Sequence, residues 1–139
     1  MNTLKRAKRI LLVDDDADDQ LYFKDAINEI SPDLQFEVAR NGQEALATIG
    51  IPPPPDLIFL DLNMPIMNGY ECLTALKKTA PYNQIPVVIF TTSKNEQDIQ
   101  RSKKLGASLF FTKPSNFKLL CNKLDKILQL DFSELQFEI

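Results

Sequence analysis

The sequence predicts a doubly wound α/β domain built on a five-stranded parallel sheet, and three observations carry that expectation. Five short runs rich in apolar and β-branched residues recur along the chain, most of them continuous rather than alternating, as strands covered on both faces require. Each run is followed by a stretch whose apolar residues recur at helical spacing, so the chain reads as five βα units. Strict β-α alternation in turn favours parallel strands, right-handed crossovers and helices on both faces of one sheet.

In chain order, RILLV (9–13) is the first strand, and the helix after it is expected over 17–30, with Leu21, Ile27 and Ile30 at its apolar positions. LQFEVA (34–39) is the second strand. It ends at the turn pair Asn41-Gly42, and its helix runs over 42–49 on Ala45, Leu46 and Ile49. Four prolines, 52–55, form a stiff polyproline connector into DLIFL (56–60); a ligand for an SH3-type domain is the other reading of that run. The third helix, 70–78, carries Leu73 and Leu76. PVVIF (86–90) precedes a mostly polar helix over 94–105, and SLFFT (108–112) precedes a long stripe of Phe117, Leu120, Leu124, Ile127 and Leu128.

At 139 residues the chain holds about one domain with one substantial core. Sixteen Lys and Arg against nineteen Asp and Glu leave a net charge of −3, which argues against nucleic acid or a membrane surface as the main partner. The basic cluster Lys5, Arg6, Lys8 and Arg9 reads as a solvated flank. The apolar run after it is too short for a secretory core or a membrane span, so a cytoplasmic location is expected. Cys72 and Cys121 are widely separated and the chain has no histidine, which removes most zinc and thiol-protease chemistry and leaves both as reduced core residues.

Ligands of such folds collect at the carboxyl ends of the strands, near the point where strand order reverses. There the first strand runs into Asp14, Asp15, Asp16, Asp18 and Asp19, five carboxylates in six positions. Two carboxylates about 4 Å apart repel by roughly 4 kcal/mol at an effective dielectric near 20, so a cation or a division of roles must offset the crowding. Asp61 after the third strand, Thr91 and Thr92 after the fourth and Lys113 after the fifth should share that mouth. Acids, a hydroxyl and a lysine without His or Cys suit oxyanion chemistry with a hard divalent cation. One carboxylate can then serve as nucleophile and form an acyl phosphate.

These residues resemble the receiver domain of two-component response regulators. The matching motifs are Asp14-Asp15, DLNMPIMNG (61–69), TTS (91–93) and Lys113-Pro114. The resemblance implies a flavodoxin-like sheet of order 2-1-3-4-5 and divides the chain into a basic arm (1–7), a receiver domain (8–130) and an extension (131–139). It implies Asp61 as the phosphoacceptor, taking a phosphoryl group from a sensor histidine kinase or a histidine phosphotransfer protein. Mg²⁺ would be held by Asp15 and Asp61 directly, by Asp14 mainly through water, and by the backbone carbonyl of Asn63. Thr91 and Lys113 would bind phosphoryl oxygens, Thr91 would shift on activation, and the switch aromatic falls on Phe110, which lacks the hydroxyl of the more usual Tyr. Asn63 and Ser93 would influence the lifetime of the acyl phosphate, and the Lys113-Pro114 bond is expected to be cis. With no output domain after it, the chain resembles a stand-alone receiver, similar to the small regulators paired with phytochrome-type kinases, signalling through its 94–130 face or relaying phosphate.

Two rivals follow from the same aspartates. A haloacid-dehalogenase-type phosphatase would use Asp14 as nucleophile, but leaves DLNMPIMNG unexplained and needs a further acidic pair beyond the lysine. An EF-hand calcium loop fits the spacing of Asp14, Asp16 and Asp18, but has Asp19 where glycine is needed and Asp25 in place of the bidentate Glu. On the metal reading Asp16, Asp18 and Asp19 belong to a helix start, as a cap and first-turn acids. In the extension, Leu135, Phe137 and Ile139 alternate with polar residues, the pattern of a strand with one apolar face. The hypothesis drawn from it is a homodimer formed through that tail.

Overall fold

The structure, a computed structural model, describes residues 7–132. The basic residues Lys5 and Arg6 and the expected tail strand of Leu135, Phe137 and Ile139, with the dimer it suggested, lie outside the described residues. Strands β1 (Arg9–Val13), β2 (Gln35–Ala39), β3 (Leu57–Leu60), β4 (Val87–Thr91) and β5 (Leu109–Thr112) alternate with helices α1 (Ala17–Ile30), α2 (Gly42–Ile49), α3 (Gly69–Lys77), α4 (Glu96–Lys104) and α5 (Phe117–Leu128). All pairings are parallel, in the order β2-β1-β3-β4-β5. The five βα units and the strand order match expectation; a short 3₁₀ turn at Tyr82–Gln84 had no signal in the apolar pattern.

The sheet separates two apolar layers by residue parity, since successive side chains of a strand point to opposite faces. Ile10, Leu12, Phe59, Phe90 and Phe111 face α1 and α5, where they meet Phe23, Ile27, Leu120 and Leu124. Leu11, Val13, Ile58, Leu60 and Ile89 face α2, α3 and α4. The three inner strands are buried along almost their whole length, whereas β2, at the sheet edge, alternates exposed and half-buried positions before the buried Ala39.

Each α-helix starts on an Asp or Asn whose side chain accepts a backbone N–H of the first turn: Asp16, Asn41, Asn68, Asn95 and Asn116. These caps fix where each helix leaves the carboxyl end of its strand.

Three local expectations are corrected. Leu21 is 59% exposed, because the buried stripe of α1 runs through Phe23, Ala26 and Ile27 instead. The Lys113-Pro114 bond is not cis; the cis bonds are Pro52-Pro53 and Ala80-Pro81, and trans is the isomer an X-Pro amide favours by about 0.5–1 kcal/mol. The proline run therefore contains one cis bond and is not a continuous polyproline II segment, although Pro55 is buried at the entrance to β3.

Candidate phosphoryl-transfer site

The mouth of the sheet lies where β1 and β3 part toward opposite edges. The backbone N–H of Asp14 donates to Ala39 and that of Asp61 donates to Val13, so the two acids continue the ladder at neighbouring strand ends. Asp14 is wholly buried, Asp61 is 7% exposed, and Asp15 points outward. Asp14, Asp15 and Asp61 offer carboxylate oxygens within 4.8 Å of one another. Such a set of hard oxygen donors fits a divalent cation of the Mg²⁺ or Mn²⁺ kind.

Lys113 closes the site from the end of β5. Its backbone N–H donates to the Thr91 carbonyl, and its ammonium donates to Asp14 Oδ2 at 2.7 Å, Asp19 Oδ2 at 2.8 Å and Asp61 Oδ2 at 3.2 Å. Burial lowers the lysine pKa, but the bonds to Asp14 and Asp19 and the fields of Asp61 and Asp14 outweigh that and hold it above the ordinary value. For Asp14 the balance is reversed: burial raises its pKa by more than Lys113 and the Asp16 N–H lower it. Asp14 Oδ1 accepts from Asp16 N and its backbone carbonyl from Gln20 Nε2 at 2.6 Å, so both carboxylate oxygens are committed.

Asp61 is presented by a tightly folded β3–α3 loop. Its Oδ1 accepts the N–H of Leu62 at 2.8 Å, and the loop returns through Gly69 N–H to the Leu62 carbonyl. Within it Met67 N–H closes on the Pro65 carbonyl around Ile66, which has φ 68°. That γ-type turn puts a β-branched residue in the left-handed region, at a cost of about 1–2 kcal/mol. Asn63 is exposed in the same loop, two positions past Asp61.

The remaining residues expected at the site separate into two groups. Thr91 is fully buried at the last position of β4, inside the strand, and its Oγ1 accepts a long N–H bond from Ser93. Phe110, 1% exposed, faces away from the mouth into the layer under α4.

Sequence reasoning missed two features. Asp19 reads from the sequence as a first-turn acid of α1, yet its carboxylate reaches Lys113; its third position in α1, where side chains tilt back toward the helix N-terminus, is the available signal. The other is a relay beside Thr91. Thr112 Oγ1 donates to the Ser93 carbonyl, Ser93 Oγ and Tyr70 OH both donate to Asp98, and the Arg101 guanidinium lies 3.9 Å from the Tyr70 ring centroid. Those hydroxyl donors hold the Asp98 carboxyl below its ordinary value, while burial and then Asp98 push the Tyr70 phenol up to about 12. Nothing in the apolar pattern links residues 70, 93, 98 and 101.

Comparison with known proteins matches residues 10–125 to the response regulator receiver domain family. The chain belongs to that family. Among the receiver's relatives, Response regulator Rcp1 of a Synechocystis species is 35% identical over 117 residues, covering 80% of each chain. The crystal structure of the phosphorylated cyanobacterial phytochrome response regulator RcpA superposes with a TM-score of 0.79 at 33% identity, over 86% of this receiver and 90% of that chain. The Mn²⁺-bound form of Rcp1 gives 0.77 at 34% identity, over 86% and 91%. The receiver is thus a two-component response regulator module of a kind that binds a divalent metal, and no described helix is long and apolar enough to cross a membrane. The phosphatase reading finds no support: the nucleophile it needs, Asp14, is sealed from solvent.

Proposed function

We propose that Asp61 accepts a phosphoryl group from a phosphohistidine on a sensor kinase or a phosphotransfer protein. The observation that carries this reading is the contrast between two acids at one mouth. Asp14 has no exposed surface and binds Lys113 at 2.7 Å, whereas Asp61 keeps an accessible edge and its Oδ2 has only a 3.2 Å contact to Lys113. An Asp61 carboxylate oxygen attacks phosphorus; the new P–O bond forms as the P–N bond to imidazole breaks, leaving histidine and an acyl phosphate. Lys113 meets the charge on the phosphoryl oxygens, and the Thr91 hydroxyl donates a hydrogen bond to one of them.

Asp15, Asp61 and the Asn63 carbonyl would hold Mg²⁺ directly, with Asp14 acting mainly through water; it is the hard cation this donor set suits. When bound it neutralises charge gathering on the transferring group. A Thr91 hydroxyl drawn toward a phosphoryl oxygen gives up its bond to Ser93 N–H, which links the site to the β4–α4 segment; the inward Phe110 is the switch aromatic of this reading. The phosphorylated phytochrome regulator RcpA among the similar structures supports phosphorylation by a histidine kinase, and a cytoplasmic location is part of this reading.

Intact-mass analysis after acetyl phosphate and Mg²⁺ tests the assignment. A single phosphoryl adduct is expected, suppressed by chelation and lost in Asp61→Asn. An adduct that persists in Asp61→Asn overturns it.

A further inference from the structure

We infer that Asp19 is a positioning residue for phosphoryl transfer, one that restrains Lys113 before the phosphoryl group arrives and strengthens the site's hold on its cation. The inference rests on the reading of Asp61 as phosphoacceptor.

An ammonium has three N–H bonds, and Lys113 commits all of them to carboxylates. The longest contact, 3.2 Å, goes to Asp61, where the phosphoryl group is to arrive; those to Asp14 and Asp19 are about half an ångström shorter. For Lys113 to meet a phosphoryl oxygen, one of these bonds must be released. Asp14 is fully buried, and stripping a buried carboxylate of its partner is costly. Asp19, with a side chain 37% exposed, exchanges Lys113 for water far more easily. It is the contact that gives way, and while it persists it draws the ammonium toward α1.

The position follows from local structure. Asp16 caps α1 and accepts the Asp19 N–H at 3.0 Å, which sets Asp19 in the first turn with its side chain leaning back over the mouth. Three carboxylates, Asp14, Asp19 and Asp61, thereby meet one ammonium, with Asp15 beside Asp14 and Asp61. The additional charge opposes an approaching anionic phosphoryl donor and favours a divalent cation. Neutralising Asp19 also shifts Lys113 onto Asp14 and Asp61, where it competes with the cation for their oxygens. Charge and geometry therefore act in the same direction on both quantities.

The full chain carrying Asp19→Asn is compared with Asp18→Asn, which removes a charge from the same helix turn at an exposed residue. Initial phosphorylation rates by acetyl phosphate are measured at saturating Mg²⁺, and the Mg²⁺ dissociation constant is measured by calorimetry with no phosphoryl donor present. Asp19→Asn is expected to phosphorylate about two- to fivefold faster and to bind Mg²⁺ about two- to fivefold more weakly, the size a half-exposed ion pair supports. Asp18→Asn should change neither beyond a fraction of that. An Asp19→Asn variant matching wild type in both measurements overturns the inference, as does an Asp18→Asn variant that reproduces both changes. If wild type is labelled at a residue other than Asp61, the phosphoacceptor reading falls and this inference with it. An Asp61 adduct with an unchanged Asp19→Asn rate and affinity removes this inference alone.

Discussion

Asp14 is the residue at which the site works against the fold. Its carboxyl pKa is raised from 3.8 because burial outweighs Lys113 and the Asp16 N–H. A native state with a raised carboxyl pKa binds its proton more readily than the unfolded chain. Stability from this group is therefore present below the ordinary value and lost as pH rises through the folded value. At neutral pH the burial of the Asp14 carboxylate therefore works against the native state, and its ion pair with Lys113 offsets this only in part. Asp14→Asn should accordingly raise the melting temperature of the metal-free protein at pH 7 and reduce the further rise produced by added Mg²⁺. Scanning calorimetry with and without the ion checks both, and a lower metal-free melting temperature would reverse the assignment of the dominant effect at Asp14.

At the scale of an element, the loop between β3 and α3 turns a strand end into a presented nucleophile. Its return is pinned at both sides of α3's first residue. Asn68 forms a reciprocal capping box with Glu71, and a Cβ on Gly69 would lie 2.2 Å from the Asp61 carbonyl and 2.7 Å from Leu62 Cα. No side chain fits between those backbone atoms, so Gly69→Ala must push α3 away from the residue that carries the phosphoryl group. The expected cost is about 2–4 kcal/mol in chemical denaturation, with a slower phosphorylation rate even where the variant is folded. A variant as stable and as fast as wild type would show that the loop tolerates this displacement. Ile66 belongs to the same device, since its positive φ tightens the turn within the loop.

Across the whole molecule, the layer under α1 and α5 is organised by aromatic contacts that span the sheet. Phe23 sits 5.0 Å from Phe59, 5.4 Å from Phe90 and 5.5 Å from Phe36, and Phe90 continues to Phe111 at 5.1 Å. The Phe90 ring also lies 5.4 Å from the Lys113 ammonium, which joins this layer to the floor of the site. Phe23→Ala should therefore cost about 3–5 kcal/mol, read as a lower urea midpoint with an unchanged slope. A loss below 1 kcal/mol would mean that the cluster closes over the gap.

The sequence by itself determined the alternating elements, the parallel sheet and the identity of five strand-end residues, because apolar periodicity and strand-end position are local properties of a chain. The bounds of α1 and α2 were legible to the residue, as was Asp16 as the cap of α1. Tertiary structure alone decided which of the chemically identical aspartates is sealed and which is accessible, because burial depends on neighbours from β2, β3 and β5. It also decided that Leu21 faces solvent, that Lys113-Pro114 is trans, and that Asp98 gathers hydroxyls from α3 and from the β4–α4 loop. Asp19 shows the division most clearly. Its charge and its place in a first turn were visible in the chain, but its bond to Lys113 joins residues 94 positions apart and exists only once β5 lies across the sheet from α1.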